Sequence, residues 1–226
     1  MTPKNPLRPS LMSGALLLGV AGALGFGLLS APKNTEAAAQ TQAVTAPPPQ
    51  GRQVATFAAG CFWSMEAIFK QLKGVDKVEP GYAGGTKAHP SYEQVENGDT
   101  GYAESINITF DPKVISYKDL IQVLLEARNP TTLDQQGPDS GPQYRSVVFY
   151  RNAAQKQAAD EEIQEVNAQH VWRNPIVTEV QPFGSFWRAE GYHLNYYNLH
   201  PDQGYCANVI APEIADFRSK FHSKLK

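Results

Sequence analysis

Residues 53–72 run a strand pattern directly into a helix pattern, with Gly60 and Cys61 at the joint. Residues 53–59 alternate in polarity and end in small side chains, which predicts a buried strand. Phe62, Met65, Phe69 and Leu72 then recur at i, i+3, i+7 and i+10, the stripe of a helix over 62–72 that Gly74 stops. A chain that turns from strand to helix over two residues must pack that helix back on its own sheet. This excludes all-helical and all-strand architectures at the outset.

The rest of the chain repeats the theme. Residues 75–82, 105–110, 144–150 and 176–180 read as strands. Ser116 with Asp119 three residues on is a capping box opening a helix whose buried face is Leu120, Ile121, Leu124 and Leu125. A second helix covers 152–169, capped by Asn152. A short one covers 192–199, and a last one starts at Pro212 with Ile214, Phe217 and Phe221 on one side. Residues 129–143 have no apolar period and hold three Pro and two Gly, so they form a long loop of the kind that more often carries function than not. Strands and helices in uneven alternation predict a single α/β or α+β domain with helices packed on a mixed sheet.

The first forty residues stand apart. Lys4 and Arg8 precede an uncharged run from Leu11 to Ser30, and Ala37-Ala38-Ala39 follows. A basic start, an apolar run and a small-x-small site predict a secretory signal over residues 1–39. Twenty apolar residues are also enough to span a bilayer, so an uncleaved membrane anchor is the alternative. Either reading puts the folded domain outside the cytoplasm, in the periplasm. Residues 40–50, with Pro47-Pro48-Pro49, read as a Pro-rich linker, and the domain is expected over 51–226. A net charge of −2 gives no basic footprint for nucleic acid. Two cysteines exclude a disulfide-dense scaffold, and the five His lack metal-ligand spacing, so no metal is expected.

Chemistry concentrates at Gly60-Cys61-Phe62-Trp63. A thiol at a helix N-terminus faces unpaired N–H groups that favour thiolate, so a lowered pKa is expected for Cys61. Three reactions suit such a thiol. One is a Cys–His hydrolase using His193, though the flanking papain signature is missing. Another is a thiol peroxidase or redox sensor using only Cys61 and Cys206, the second cysteine. The third adds an acidic and phenolic set, Tyr92, Glu104, Asp139 and Tyr144, able to donate hydrogen bonds to an oxygen-bearing substrate. Spacing alone does not bring these groups together.

The chain from about Val54 to Phe221 resembles the A-type peptide methionine sulfoxide reductases. The resemblance rests on Ala55-Thr56-Phe57-Ala58-Ala59-Gly60-Cys61-Phe62-Trp63, Gly81-Tyr82-Ala83-Gly84-Gly85 and Pro90-Ser91-Tyr92-Glu93. It continues in order through Asn129-Pro130-Thr131-Thr132, Gln136-Gly137-Pro138-Asp139, Gln143-Tyr144-Arg145-Ser146 and Ala189-Glu190-Gly191-Tyr192-His193. It implies an α+β two-layer sandwich around a mixed sheet. It implies that Cys61 attacks the sulfoxide sulfur and becomes a sulfenic acid while methionine leaves. Phe62 and Trp63 would hold the ε-methyl group. Glu104, Tyr92 and Tyr144 would serve the sulfoxide oxygen, with Asp139 in support and Cys206 as the resolving thiol. Oxidised proteins and free methionine sulfoxide are the implied substrates of a monomer. The implied reductant is an external thioredoxin-like donor, with no bound cofactor. Tyr102 stands where the family often has His, so no role of that His carries over.

Overall fold

The computed structural model describes residues 42–226, and the segment 1–39 expected as a signal or anchor lies outside them. Among the described residues no helix is long and apolar enough to cross a membrane.

Seven strands form a mixed sheet in the order β1-β9-β3-β4-β2-β7-β8. They are β1 (Gln42–Ala43), β2 (Gln53–Ala59), β3 (Val75–Ala83), β4 (Ala103–Phe110), β7 (Ser146–Tyr150), β8 (Glu179–Pro182) and β9 (Phe186–Arg188). Every pairing is antiparallel except β7 with β8. The helices are α1 (Phe62–Phe69), α2 (Tyr92–Glu96), α3 (Tyr117–Ala127), α4 (Ala153–Ala168), α5 (Tyr196–Leu199) and α6 (Ala211–Lys220). This is the expected α+β sandwich.

The period of two along each strand sorts the core. Phe57, Tyr82, Ile106, Ile108, Phe110 and Val148 belong to the main core, with Met65, Ile68 and Phe69 of α1 and Leu120, Ile121 and Leu124 of α3. Strand residues of the opposite parity, Ala58, Ala83, Ala103, Val147 and Phe149, form a smaller cluster with Phe186, against which Val44 and Phe183 pack. Glu104 shares the parity of Ile106 and Ile108. Its carboxyl therefore points to the helix side of the sheet, at the end of β4 where α1 begins.

Several elements differ from expectation, each for a local reason. Helix α1 ends at Phe69, because the N–H groups of Gln71 and Leu72 turn back to the carbonyls three residues before them. Strand β7 starts at Ser146. Gly141, at φ 139°, and Pro142 open a 3₁₀ turn that takes in Tyr144. Strand β8 begins at Glu179, since the N–H of Ile176 goes to Asn167 Oδ1 and that of Val177 to the Pro130 carbonyl. The short helix expected over 192–199 splits at Asn195, which adopts φ 60° and donates its N–H to Glu66 (2.8 Å). The loop 129–143 carries a two-strand hairpin, β5 (Gln135–Gln136) with β6 (Asp139–Ser140). The Pro-rich stretch expected as a linker contributes an edge strand, Gln42–Ala43 pairing with Arg188 and Trp187.

Candidate active site

The corner between β2 and α1 is built for glycine at position 60. Its φ is 78°, and a Cβ there would lie 2.5 Å from the Gln136 side chain and 2.7 Å from the Arg128 guanidinium. Buried Arg128 pins the corner. Its Nε donates to the Ala59 carbonyl (3.0 Å), its Nη1 to Ser64 Oγ (3.1 Å), and it pairs with Glu213 of α6. The N–H of Gly60 donates to the Tyr144 carbonyl (3.1 Å). Cys61 is thereby fixed as the N-cap of α1.

Cys61 opens on a cavity of about 180 Å³ lined by Phe62, Trp63, Tyr92, Glu104, Asp139, Tyr144 and Tyr205. Seven residues singled out from the sequence thus meet in one place, brought by β2, α1, α2, β4, β6 and the 3₁₀ turn. Phe62 and Tyr92 stack, with ring centres 6.4 Å apart. Trp63 lies flat on Tyr196 at 3.7 Å, and its indole N–H donates to His193 Nδ1 (3.0 Å). Two aromatic walls therefore face a rim of acids and phenols, which suits a substrate with one apolar and one polar end.

The electrostatics reverse one expectation. Burial and the neighbouring Glu104 push the Cys61 thiol well above the usual range. The N–H groups of Trp63 and Ser64 pull the other way and do not win. Only 2% exposed, Glu104 is likewise raised well above the carboxylate range by burial, although the Phe62 N–H donates to its Oε2 (2.9 Å). Burial thus favours the protonated form of both the thiol and the carboxyl. A carboxyl kept neutral in an apolar site is a proton donor at neutral pH.

Other site groups lacked a sequence signal. Tyr205 lines the cavity and donates its hydroxyl to Asp139. Glu190 accepts from the Tyr82 hydroxyl (2.8 Å) and the Tyr92 N–H (2.9 Å), holding α2 in place. Glu96 accepts from the Tyr144 hydroxyl with both oxygens, at 3.1 Å each. Helix α2 is opened by a reciprocal capping box between Ser91 and Gln94. Tyr102 packs its ring over Gly85 and gives its hydroxyl to the Lys87 carbonyl, so it serves the loop beside the site.

Two residues do not join the cavity. His193 is fully buried, its acceptor nitrogen is taken by Trp63, and burial lowers its pKa to about 4. A neutral ring with its lone pair committed is no base for Cys61, which removes the support for a hydrolase. Cys206 starts a single π turn, Cys206–Ile210, that runs into α6, and it is 0% exposed within the main core. Both cysteines are free thiols. Among the described residues no group of His, Cys, Asp or Glu is arranged to hold a metal.

An α+β sandwich with a thiol and a buried carboxyl in one aromatic-walled cavity defines a cysteine-based enzyme. The peptide methionine sulfoxide reductase family matches residues 53–225, and the chain belongs to that family, in its A-type. It is accordingly a peptide-methionine (S)-S-oxide reductase, an oxidoreductase. It is 47% identical over 169 residues to the peptide methionine sulfoxide reductase MsrA of Polynucleobacter asymbioticus, covering 75% of this chain and 89% of that one. It is 44% identical over 201 residues to the MsrA of Deinococcus radiodurans, covering 89% and 98%. Among solved structures, the reduced form of Mxr1 from Saccharomyces cerevisiae aligns with a TM-score of 0.66 and 32% identity, covering 71% of this chain and 92% of that one. Methionine sulfoxide reductase A of Corynebacterium diphtheriae aligns with a TM-score of 0.62 and 29% identity, covering 70% and 79%.

Proposed function

We propose that Cys61 carries out the reduction of methionine S-sulfoxide, in oxidised proteins and as the free amino acid. The observation that carries this reading is the cavity itself, where a thiol, a buried carboxyl and three phenols face a wall made by Phe62 and Trp63. The sulfoxide methyl fits against the two rings, and its oxygen faces Glu104, Tyr92 and Tyr144. Sulfoxide oxygen leaves sulfur only when protonated, so an acid is what the step requires.

Protons and oxygen balance as follows. Glu104 gives its proton to the sulfoxide oxygen as the Cys61 sulfur attacks, and the thiol proton returns to Glu104. The S–O bond of the substrate breaks, the oxygen ends on Cys61 as a sulfenic acid, and methionine leaves. Because thiol and acid are both protonated at rest, attack and proton transfer are one event. Asp139 acts through Tyr205, whose hydroxyl it accepts beside Cys61.

Cys206 then attacks the sulfenic acid, releasing water and forming a disulfide. Its neighbour Tyr205 already lines the cavity, which supports this route. The buried position of Cys206 requires the 206–210 turn to unwind first, and a π turn is a weak point in a helix. A thioredoxin-like dithiol outside the cytoplasm restores both thiols. The N-terminal segment delivers the enzyme there. The test is single-turnover release of methionine from each sulfoxide diastereomer by the reduced protein. The S form should yield one equivalent and the R form none. Equal consumption of both, or of neither, would refute the assignment.

A further inference from the structure

Glu96 is an acid at the site that the reaction as described does not use. It closes α2, half-buried, with its backbone carbonyl held by Gln143 Nε2 (3.2 Å). Both of its carboxyl oxygens accept from the Tyr144 hydroxyl at 3.1 Å. It also shares a hydrogen bond with Glu104. Glu104 Oε2 is taken by the Phe62 N–H, which leaves Oε1 to carry a proton. Two carboxyls in hydrogen-bond contact cannot both ionise readily, so the pair holds one proton between them. Glu104 is the more deeply buried of the two, and the proton belongs on it.

We propose that Glu96 is a positioning residue that keeps Glu104 protonated and aims both Glu104 and Tyr144 before the substrate arrives. Its negative charge opposes ionisation of Glu104. Its oxygens act as a stand-in acceptor for the two donors, which turn to the sulfoxide oxygen when it enters. After methionine leaves, Glu96 accepts the same two hydrogen bonds again and restores the resting state. The charged and titratable groups facing Glu96 are Glu104 of β4, Tyr144 of the 3₁₀ turn, Asp139 of β6 and Tyr92 of α2. None is a cation; Arg128 acts on Asp139 but is paired with Glu213, so between the two glutamates a proton supplies the compensation. The Asp139 charge works in the same direction as Glu96, and Tyr92 is held neutral by burial and by Glu104.

The role as catalytic acid rests on the proposed function, but the protonation claim does not, and the experiment separates them. The probe is the infrared carbonyl band of a protonated carboxyl in the full chain, assigned to Glu104 by its loss in Glu104→Gln. In the wild type it should persist through neutral pH. Glu96→Gln and Glu96→Ala should move its titration midpoint down by about one pH unit, the scale of a close like-charge interaction. Glu96→Asp, which keeps the charge, should restore most of the wild-type midpoint. The acidic shift should reappear in the single-turnover pH profile of Glu96→Gln as a rate lost about tenfold per unit above the new midpoint. An unmoved band in either charge-removing variant, or an equal shift in Glu96→Asp, would overturn the proposal. A moved band with an unmoved pH profile would retain the carboxyl pair and refute Glu104 as the acid instead.

Discussion

Cys61 and Cys206 are both buried, 6% and 0% exposed, yet their surroundings have little in common. Cys61 caps a helix at a corner where Gly60, Arg128 and Gln136 leave the chain no alternative path, and it opens on acids and phenols. Cys206 sits among Ile210, Ile214 and Phe217 in the main core, at the head of a π turn, with its thiol raised by burial alone. Burial therefore does not mark a structural cysteine. The groups that share the burial with it do. Cys61 shares its site with a neutral carboxyl that can trade protons with it, and it is held still. Cys206 has no such partner, and it must move to react.

The largest consequence of that contrast concerns the two thiols themselves. Cys61→Ser should abolish methionine release, because a hydroxyl is far too weak a nucleophile at neutral pH. Cys206→Ser should release the first equivalent at the wild-type rate and then stop turning over with a thioredoxin-type donor. Rapid-quench counting of methionine against enzyme distinguishes the two. A slowed first turnover in Cys206→Ser would make Cys206 part of the first step and break the comparison.

Next in size is Glu104→Gln, which should slow single-turnover release by about 10²–10⁴-fold, the usual worth of a positioned acid. An unchanged rate would remove Glu104 from the step. Trp63→Ala should weaken discrimination for the substrate methyl by about 1–3 kcal/mol, read as a fall in kcat/KM, since one apolar wall is lost and Phe62 remains.

The smallest effect is on stability, and its sign is opposite to the loss of activity. The folded pKa of Glu104 lies above its unfolded value. Between those two values the folded state binds more protons than the unfolded one, so stability falls as pH rises through that window. Glu104→Gln removes this dependence. The variant should melt at the same or a higher temperature than wild type near neutral pH and lose the advantage near pH 4. A melting temperature below wild type at neutral pH would show that Glu104 is held ionised.

Much of this was legible in the chain. The strand-to-helix joint at residues 53–69, the capping box at Ser116 and the stripe through Ile214 and Phe217 all fold as their patterns predict. Local patterns report on local structure, and these elements are local. Tyr144 was misplaced on a strand because Pro142 and Gly141 redirect the backbone only once the loop packs over Gly60. Strands β1 and β9 are too short to show alternation, and tertiary pairing creates them, β9 against β3 and β1 against β9. The gathering of Tyr92, Glu104, Asp139 and Tyr144 is a tertiary fact that spacing cannot hold. The rise in the Cys61 pKa escaped for the same reason. The helix N-terminus is visible in the sequence, whereas the buried carboxyl opposite it, forty-three positions later, is not.

The most direct test of the account is one oxidation event followed on both sulfurs. Fully reduced protein is mixed with one equivalent of methionine S-sulfoxide, quenched with a thiol-alkylating reagent, and read by intact mass and peptide mapping. The account predicts one equivalent of methionine, loss of both free thiols in the wild type, and a sulfenic acid on Cys61 alone in Cys206→Ser. Methionine release with Cys61 still alkylated would contradict it.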